Sequence, residues 1–423
     1  MNNKNEVEII DDFEGAMIGK HEINSYNIYL DLKKEKPTIG FNNKKWNYNL
    51  HFNFGIHNFS KQDKTYKIFI NCKNFINLKG ELKRLWISDN VNKEFWMVKD
   101  IFGRTNFHGK YYIEIKIKRN QILYIANYPP IKYSKLKEKF EILSKQSKAK
   151  KVVIGYTVEN RPIISYEIGD IFKNPTILFV SGFHPPERDT IAIEAIMEKF
   201  ENNEWRSYIL KKYSFSFIPI LNPDGFANAM QGSNINEINF HWKFFGNSEN
   251  ECPEAIGIWR YCSMIKPIIF FDFHSFTFQN NTARPYLIPP GYYCKKSRRK
   301  AQRYINKSLR KLCENSYSKN EIILSPNLLS SKLRSEFDTI TIPKFHLHMK
   351  DGLNESKKMA LDCLKITLEG LKFLNIKKRK EKNKSLEKKN CNIIDRIRIN
   401  ILDFWFFKVK SILKRILASK SRR

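Results

Sequence analysis

Thr176-Ile-Leu-Phe-Val180-Ser-Gly-Phe-His184-Pro-Pro-Glu187 decides the reading of this chain. Four apolar residues in a row after Thr176 suit a strand buried on both faces, and the run stops at a glycine, two prolines and two side chains able to hold a metal. A second apolar run, Phe270-Phe-Asp-Phe-His274, stops in the same way. Two imidazoles and a carboxylate at strand ends match a catalytic zinc arrangement, in which three protein ligands leave one position open. Such sites lie beyond the carboxyl ends of the strands in an open α/β sheet. The tetrapeptide by itself is weak, because 9 His and 43 acidic residues give His-x-x-(Asp/Glu) about once by chance. Its position at the end of a buried strand is what makes it a motif.

Working outward, Val152-Val-Ile-Gly155 and Pro162 to Ile168 pair as a hairpin, and Ile191 to Phe200 and Glu254 to Ile265 read as helices. Phe215 to Leu221 is a strand closed by Asn222-Pro-Asp-Gly225, whose residue types demand a turn. Ile340 to His348 is a later strand, followed by a helix from Asn354 to Leu374. Strands alternating with helices predict a mixed α/β sheet. Before this region the pattern has period two: His51 to Ile56, Tyr66 to Ile70, Leu85 to Ile87, Phe95 to Val98 and Tyr112 to Ile117. Short strands at near-regular spacing predict an all-β sandwich, with Phe52, Phe54, Trp86 and Trp96 in its core. Pro129-Pro130 closes it and Lys135 to Gln146 is a helix. The expected organisation is an N-terminal extension over 1–44, a sandwich over 45–134, an α/β domain over 135–376 and a basic tail over 377–423.

The 423 residues carry a formal charge of +32. Residues 377–423 hold 17 Lys/Arg against 4 Asp/Glu, so much of the excess is in the tail. The remainder is spread among Lys, Asn and Ile, and no nucleic-acid-binding motif accompanies it, which argues against a nucleic-acid partner. Lys377 to Lys389 reads as a solvated linker. Ile393 to Leu417 reads as a basic amphipathic helix that either docks on the body or lies on an anionic membrane surface. Seven scattered cysteines without a Cys-x-x-Cys pair suit a reducing, cytoplasmic interior, and no apolar run predicts export or a membrane span.

In order along the chain, Gly155-Tyr-Thr-Val-Glu-Asn-Arg-Pro162, Gly182-Phe-His-Pro-Pro-Glu187, Asn222-Pro-Asp-Gly225, Pro253-Glu-Ala255 and Asp272-Phe-His-Ser275 resemble the motif series of the zinc carboxypeptidase family. The sandwich and Tyr124 to Tyr133 also resemble the cytosolic carboxypeptidase branch. The resemblance implies a zinc ion on His184, Glu187 and His274, and a peptide or acyl-amino-acid substrate. Asp272, on the same strand face as His274, suits a carboxylate behind the ligand.

The sequence departs from that family in the reaction chemistry. The family's catalytic glutamate aligns with His348 in Pro343-Lys-Phe-His-Leu-His348, and its substrate-gripping Asn-Arg pair aligns with His241-Trp242. Its electrophilic arginine aligns with Gly232. Two expectations follow. In one, the chain is a zinc-dependent hydrolase of an amide or peptide bond in which His348 serves as base or proton shuttle, with Lys243, Lys344 or Lys350 replacing the lost charge. In the other, it is an inactive metal-binding descendant acting as a binding or scaffold protein. All five histidines after residue 110 (184, 241, 274, 346 and 348) fall in these motifs.

Overall fold

The computed structural model describes residues 6–36, 38–39, 45–46, 51–71, 84–93, 96–100, 104–105, 110–241, 244, 251–275, 284–287, 296–313, 328–347 and 353–374. All of them belong to one unit, Met1–Lys378. The tail helix expected over 393–417 lies outside the described residues, as do Trp242, Lys243, His348 and Lys350.

The first half is a β-sandwich. Its strands are β1 (Val7–Ile10), β2 (His21–Asn24), β3 (Asn27–Asp31), β4 (Thr38–Ile39), β5 (Lys45–Trp46), β6 (Asn53–Asn58), β7 (Lys64–Asn71), β8 (Arg84–Ser88), β9 (Met97–Asp100), β10 (Arg104–Thr105), β11 (Lys110–Ile117) and β12 (Gln121–Ala126). Two five-stranded sheets, β1-β6-β12-β8-β9 and β10-β11-β7-β3-β2, face each other, while β4 and β5 pair apart. Period-two alternation sends Tyr66, Ile68 and Ile70 of β7 into the core and turns Thr65 and Lys67 outward. The N-terminal residues expected as an extension supply β1 to one sheet and β2 and β3 to the other. Phe52 and Phe54 are in the sandwich core, whereas Trp86 and Trp96 form a separate small cluster with Ala126.

The α/β half follows α1 (Tyr133–Gln146), which packs through Leu136, Phe140 and Leu143. Its seven strands are β13 (Lys150–Tyr156), β14 (Pro162–Ile168), β15 (Thr176–Val180), β16 (Ser214–Ile218), β17 (Ile269–Ser275), β18 (Arg284–Tyr286) and β19 (Ile340–Leu347), ordered β13-β14-β16-β15-β17-β19-β18. The central pairs β16/β15, β15/β17 and β17/β19 are parallel. Every residue of β15, β16, β17 and β19 is buried, because helices cover both faces. On one face lie α1, α2 (Thr190–Lys199), α6 (Lys296–Leu312) and α8 (Leu353–Leu371); on the other lie α5 (Pro253–Ile265) and α7 (Leu329–Phe337). The helices α3 (Asn203–Leu210) and α4 (Pro223–Ala227) complete the connections. The parallel strands β15 and β17 end side by side, which brings His184 and His274 to one edge of the sheet.

Candidate metal centre

The loop that carries His184 is braced by the turn that follows β16. Asn222 donates its backbone N–H to the Gly182 carbonyl at 3.0 Å, and its side-chain amide donates to the carbonyls of Phe183 and Ser233 at 3.2 and 2.8 Å. Gly182 has φ +68°, and a Cβ there would sit 2.6 Å from the Pro219 carbonyl oxygen, so the loop can cross this turn only as glycine. Asp224 of the same turn accepts from the Thr157 hydroxyl at 2.6 Å, the Glu159 N–H at 2.8 Å and Arg161 at 2.8 Å, which ties the β13–β14 hairpin to it. Behind the loop, Arg188 donates to Thr190 at 2.9 Å and to Glu194 at 2.8 Å, and Lys139 of α1 reaches Glu194 at 2.8 Å.

Within this frame the three residues expected to hold a metal come together. His184 Nδ1 lies 2.8 Å from Glu187 Oε1, and His274 Nδ1 lies 3.1 Å from Oε2. The Ser275 N–H donates to Oε2 at 2.9 Å. One donor atom from each of the three residues lies within 4.8 Å of the others, and all three side chains are buried. Asp272 stands behind His274, with Oδ1 3.1 Å from His274 Nε2 and Oδ2 3.4 Å from His241 Nδ1. The rings of His184 and His274 are 5.1 Å apart, those of His241 and His274 4.5 Å, and those of His274 and His346 6.1 Å.

The charge states of Glu187 and His184 suit a cation. Burial would raise the Glu187 carboxyl, but His184 and His274 outweigh it and hold it well below the usual carboxylate range. Burial lowers His184 to about 4 against the pull of Glu187, and lowers His241 and His346 well below the ordinary imidazole value, helped by neighbouring cationic groups. Neutral imidazole is the ligand form. His274 is raised: burial opposes its proton, while the Asp272 and Glu187 carboxylates outweigh that loss. Asp189 is pushed well above the usual range by burial, then by Glu187 and Asp272. Buried Lys344 is lowered by burial and held up by Glu187, Asp272 and Asp189. Two Nδ1 atoms facing the two oxygens of one carboxylate form a nitrogen and oxygen donor set of the kind zinc takes, so the residues present fit the ion.

The sandwich contributes what the sequence did not announce. His51, fully buried and lowered to about 3 by its burial, lies within electrostatic reach of Glu187 and His184. Its ring meets Tyr128 edge-on at 4.7 Å, and the Ser275 hydroxyl lies 3.4 Å from the Tyr128 hydroxyl. Gln231 clamps His51 by accepting its N–H at 2.8 Å and donating to its carbonyl at 2.7 Å. Beside it, Lys33 donates to the carbonyls of Asn228 and Ala229 at 2.7 and 3.2 Å, while Glu35 accepts from the N–H groups of Gln231 and Gly232, the latter at 3.1 Å. No local signal in the sequence marks these residues, whose partners lie far along the chain.

Residues 140–257 match the family model described as zinc carboxypeptidase. This stretch of the α/β region is similar to the zinc carboxypeptidase family. The matched stretch contains His184 and Glu187 and ends before His274. Among solved structures, a metallo-carboxypeptidase from Burkholderia cenocepacia is similar over 86% of this chain and 99% of its own, with 13% identity and TM-score 0.72. A metallo-carboxypeptidase from Pseudomonas aeruginosa, in complex with (2-guanidinoethylmercapto)succinic acid, is similar over 86% of this chain and 98% of its own, with 14% identity and TM-score 0.70. These likenesses extend the carboxypeptidase fold to the sandwich as well as the α/β domain. No curated protein sequence matches the chain.

Proposed function

We propose that the chain is a zinc-dependent carboxypeptidase-like hydrolase of an amide or peptide bond, with the ion on His184 Nδ1, Glu187 and His274 Nδ1. The observation that carries this reading is the placement of two histidine Nδ1 atoms on the two oxygens of one buried carboxylate. Zinc held there supplies Lewis acidity, polarising a carbonyl and making a water acidic near neutrality. The protein's share is to keep Glu187 ionised and to hold His184 neutral for ligation, with all three side chains buried. His348, aligned with the family's glutamate, is the proposed base, and Lys344 is the buried cation placed to offset developing negative charge. In sequence, His241 and Trp242 align with the asparagine and arginine by which the family grips a terminal carboxylate. A peptide or acyl-amino-acid substrate whose terminal carboxylate is blocked or absent suits that change. Among the described residues the buried Cys252, Cys262 and Cys363 form no disulfide, which supports a cytoplasmic setting. Among the described residues no helix is long and apolar enough to cross a membrane.

One observation favours the inactive, metal-binding reading. The residue aligned with the family's arginine is Gly232, and its N–H is taken by Glu35. Elemental analysis of the protein and its His184→Ala variant, combined with hydrolysis assays on a broad peptide and acyl-amino-acid library, tests both readings. Zinc bound only by the unsubstituted protein, with turnover, supports the hydrolase. Zinc without turnover supports the inactive descendant, and equal zinc in both proteins removes the centre.

A further inference from the structure

His274 uses both of its ring nitrogens inside the protein. Nδ1 faces Glu187 Oε2 at 3.1 Å, on the side of the proposed ion, and Nε2 faces Asp272 Oδ1 at 3.1 Å. His274 Nε2 and Asp272 Oδ1 are both buried, and at this 3.1 Å separation neither makes a well-aligned hydrogen bond in the metal-free protein. The second oxygen of Asp272 lies 3.4 Å from His241 Nδ1, and His241 is buried against the ring of His274 at 4.5 Å. His241, Asp272 and His274 therefore also satisfy the spacing of a metal-binding trio. A second ion there would share His274 with the first, and one neutral imidazole has a single lone pair to give. The two trios are better read as one centre and the groups that orient it.

We propose that His241 is a positioning residue for the metal centre, acting through Asp272 on His274. This rests on the zinc reading above. If His274 gives its Nδ1 lone pair to the ion, its proton must be on Nε2, where Asp272 Oδ1 accepts it. Asp272 can hold that orientation only if its own rotamer is fixed in a pocket that offers it no water. A proton on His241 Nδ1, 3.4 Å from Oδ2, would fix it. Where the family pattern has asparagine, this chain thus uses histidine to secure a ligand from behind, which removes His241 from direct contact with substrate.

Zinc affinity measured by chelator competition on the full chain tests this without reference to turnover. His241→Ala is expected to weaken zinc binding by about 10–100-fold, as removing a group behind a ligand does, and Asp272→Asn is expected to do the same. Adding His241→Ala to Asp272→Asn should weaken it little further, since both act through one path. His241→Asn places an amide N–H where Nδ1–H stood and should restore binding to within about threefold of the unsubstituted protein. The unfolding midpoint of each metal-free variant is measured alongside. If His241→Ala fails to fold, the Asp272→Asn and His241→Asn proteins carry the test.

If the unsubstituted protein binds no zinc, the centre itself falls and the inference with it. If it binds one zinc and His241→Ala or Asp272→Asn holds that zinc equally tightly, the centre stands and the positioning role is overturned. A His241→Asn protein as weak as His241→Ala overturns it too. Two zinc ions per chain, one lost with His241→Ala, make His241 a ligand instead.

Discussion

The two halves of this molecule bury different things. The sandwich core is aliphatic and aromatic, with Ile28, Ile56, Ile68, Ile113, Ile117 and Ile125 all fully buried. The α/β half has apolar cores of its own and then, at the carboxyl edge of its sheet, adds His184, Glu187, Asp189, Asp272, His274 and Lys344, each at most 5% exposed. A buried ionisable group costs stability unless it is paired, and a cluster of them marks a site where stability has been given up for chemistry. The sandwich has no such cluster among its described residues. It serves as a wall, reaching the centre through His51 and Tyr128.

That contrast should show in how the halves respond to substitution and pH, and the largest effect is expected behind the metal loop. Glu194 is fully buried between Arg188 and Lys139. Removing it in Glu194→Ala leaves a buried guanidinium without its partner and should cost about 3–5 kcal/mol in a denaturant titration. A loss below about 1 kcal/mol would mean that water already reaches the pair.

The next effect is in pH. Burial lowers His51 to about 3 in the folded, metal-free protein, while the unfolded chain titrates near 6.5. A folded value below the unfolded one means that the unfolded state takes up the proton first, so stability is complete above about pH 6.5 and declines as pH falls. By pH 5 the loss from His51 is about 2 kcal/mol, and His51→Phe should flatten that part of the curve. Stability measured between pH 7 and 5 on the metal-free protein and the variant decides it.

In the sandwich the corresponding change is smaller and independent of pH. Ile68→Val trims one methyl from the core and should cost about 1 kcal/mol, equally at pH 5 and pH 7. A strong pH dependence there would show that the halves are not separable in this way. The smallest effect belongs to the sandwich surface, where Lys67 and Glu114 pair across strands at 3.4 Å with each side chain 52% exposed. Lys67→Ala should shift stability by less than about 0.5 kcal/mol, and the shift should vanish at high salt.

What could be read from the sequence tracks the range of the interactions involved. The hairpin from Lys150 to Ile168, the buried strands at Thr176 and Ile269, and the turn at Asn222 are written in neighbouring residues, and the structure places each within a few positions of its expected bounds. The pair His184 and Glu187 could be read because both follow one strand end, and His274 because it closes a second run of the same kind. The N-terminal strands could not, since Val7–Ile10 and Asn27–Asp31 are short and flanked by charge, and become strands by pairing with β6 and β7. His51 was hidden for a related reason: it looks like one more strand residue until its partners, Gln231 and the centre, are brought up by the fold. The neighbourhood of Asp272 was legible as a face of a strand, but its hold on His241 was not, because that segment has no regular structure to carry a pattern.

The strap formed by Lys33 and Glu35 has a consequence for the order in which the protein can be made. Its partners, Asn228 and Gln231, lie 195 and 196 residues further along. At a synthesis rate of about 5–20 residues per second, the strap would wait about 10–40 s before they exist. During that interval the sandwich can close on its own strands, but Glu35, which the mature protein buries, and half-buried Lys33 remain in water. The nascent sandwich therefore emerges with this contact unmade, and the last step of its maturation is timed by the arrival of the α/β half.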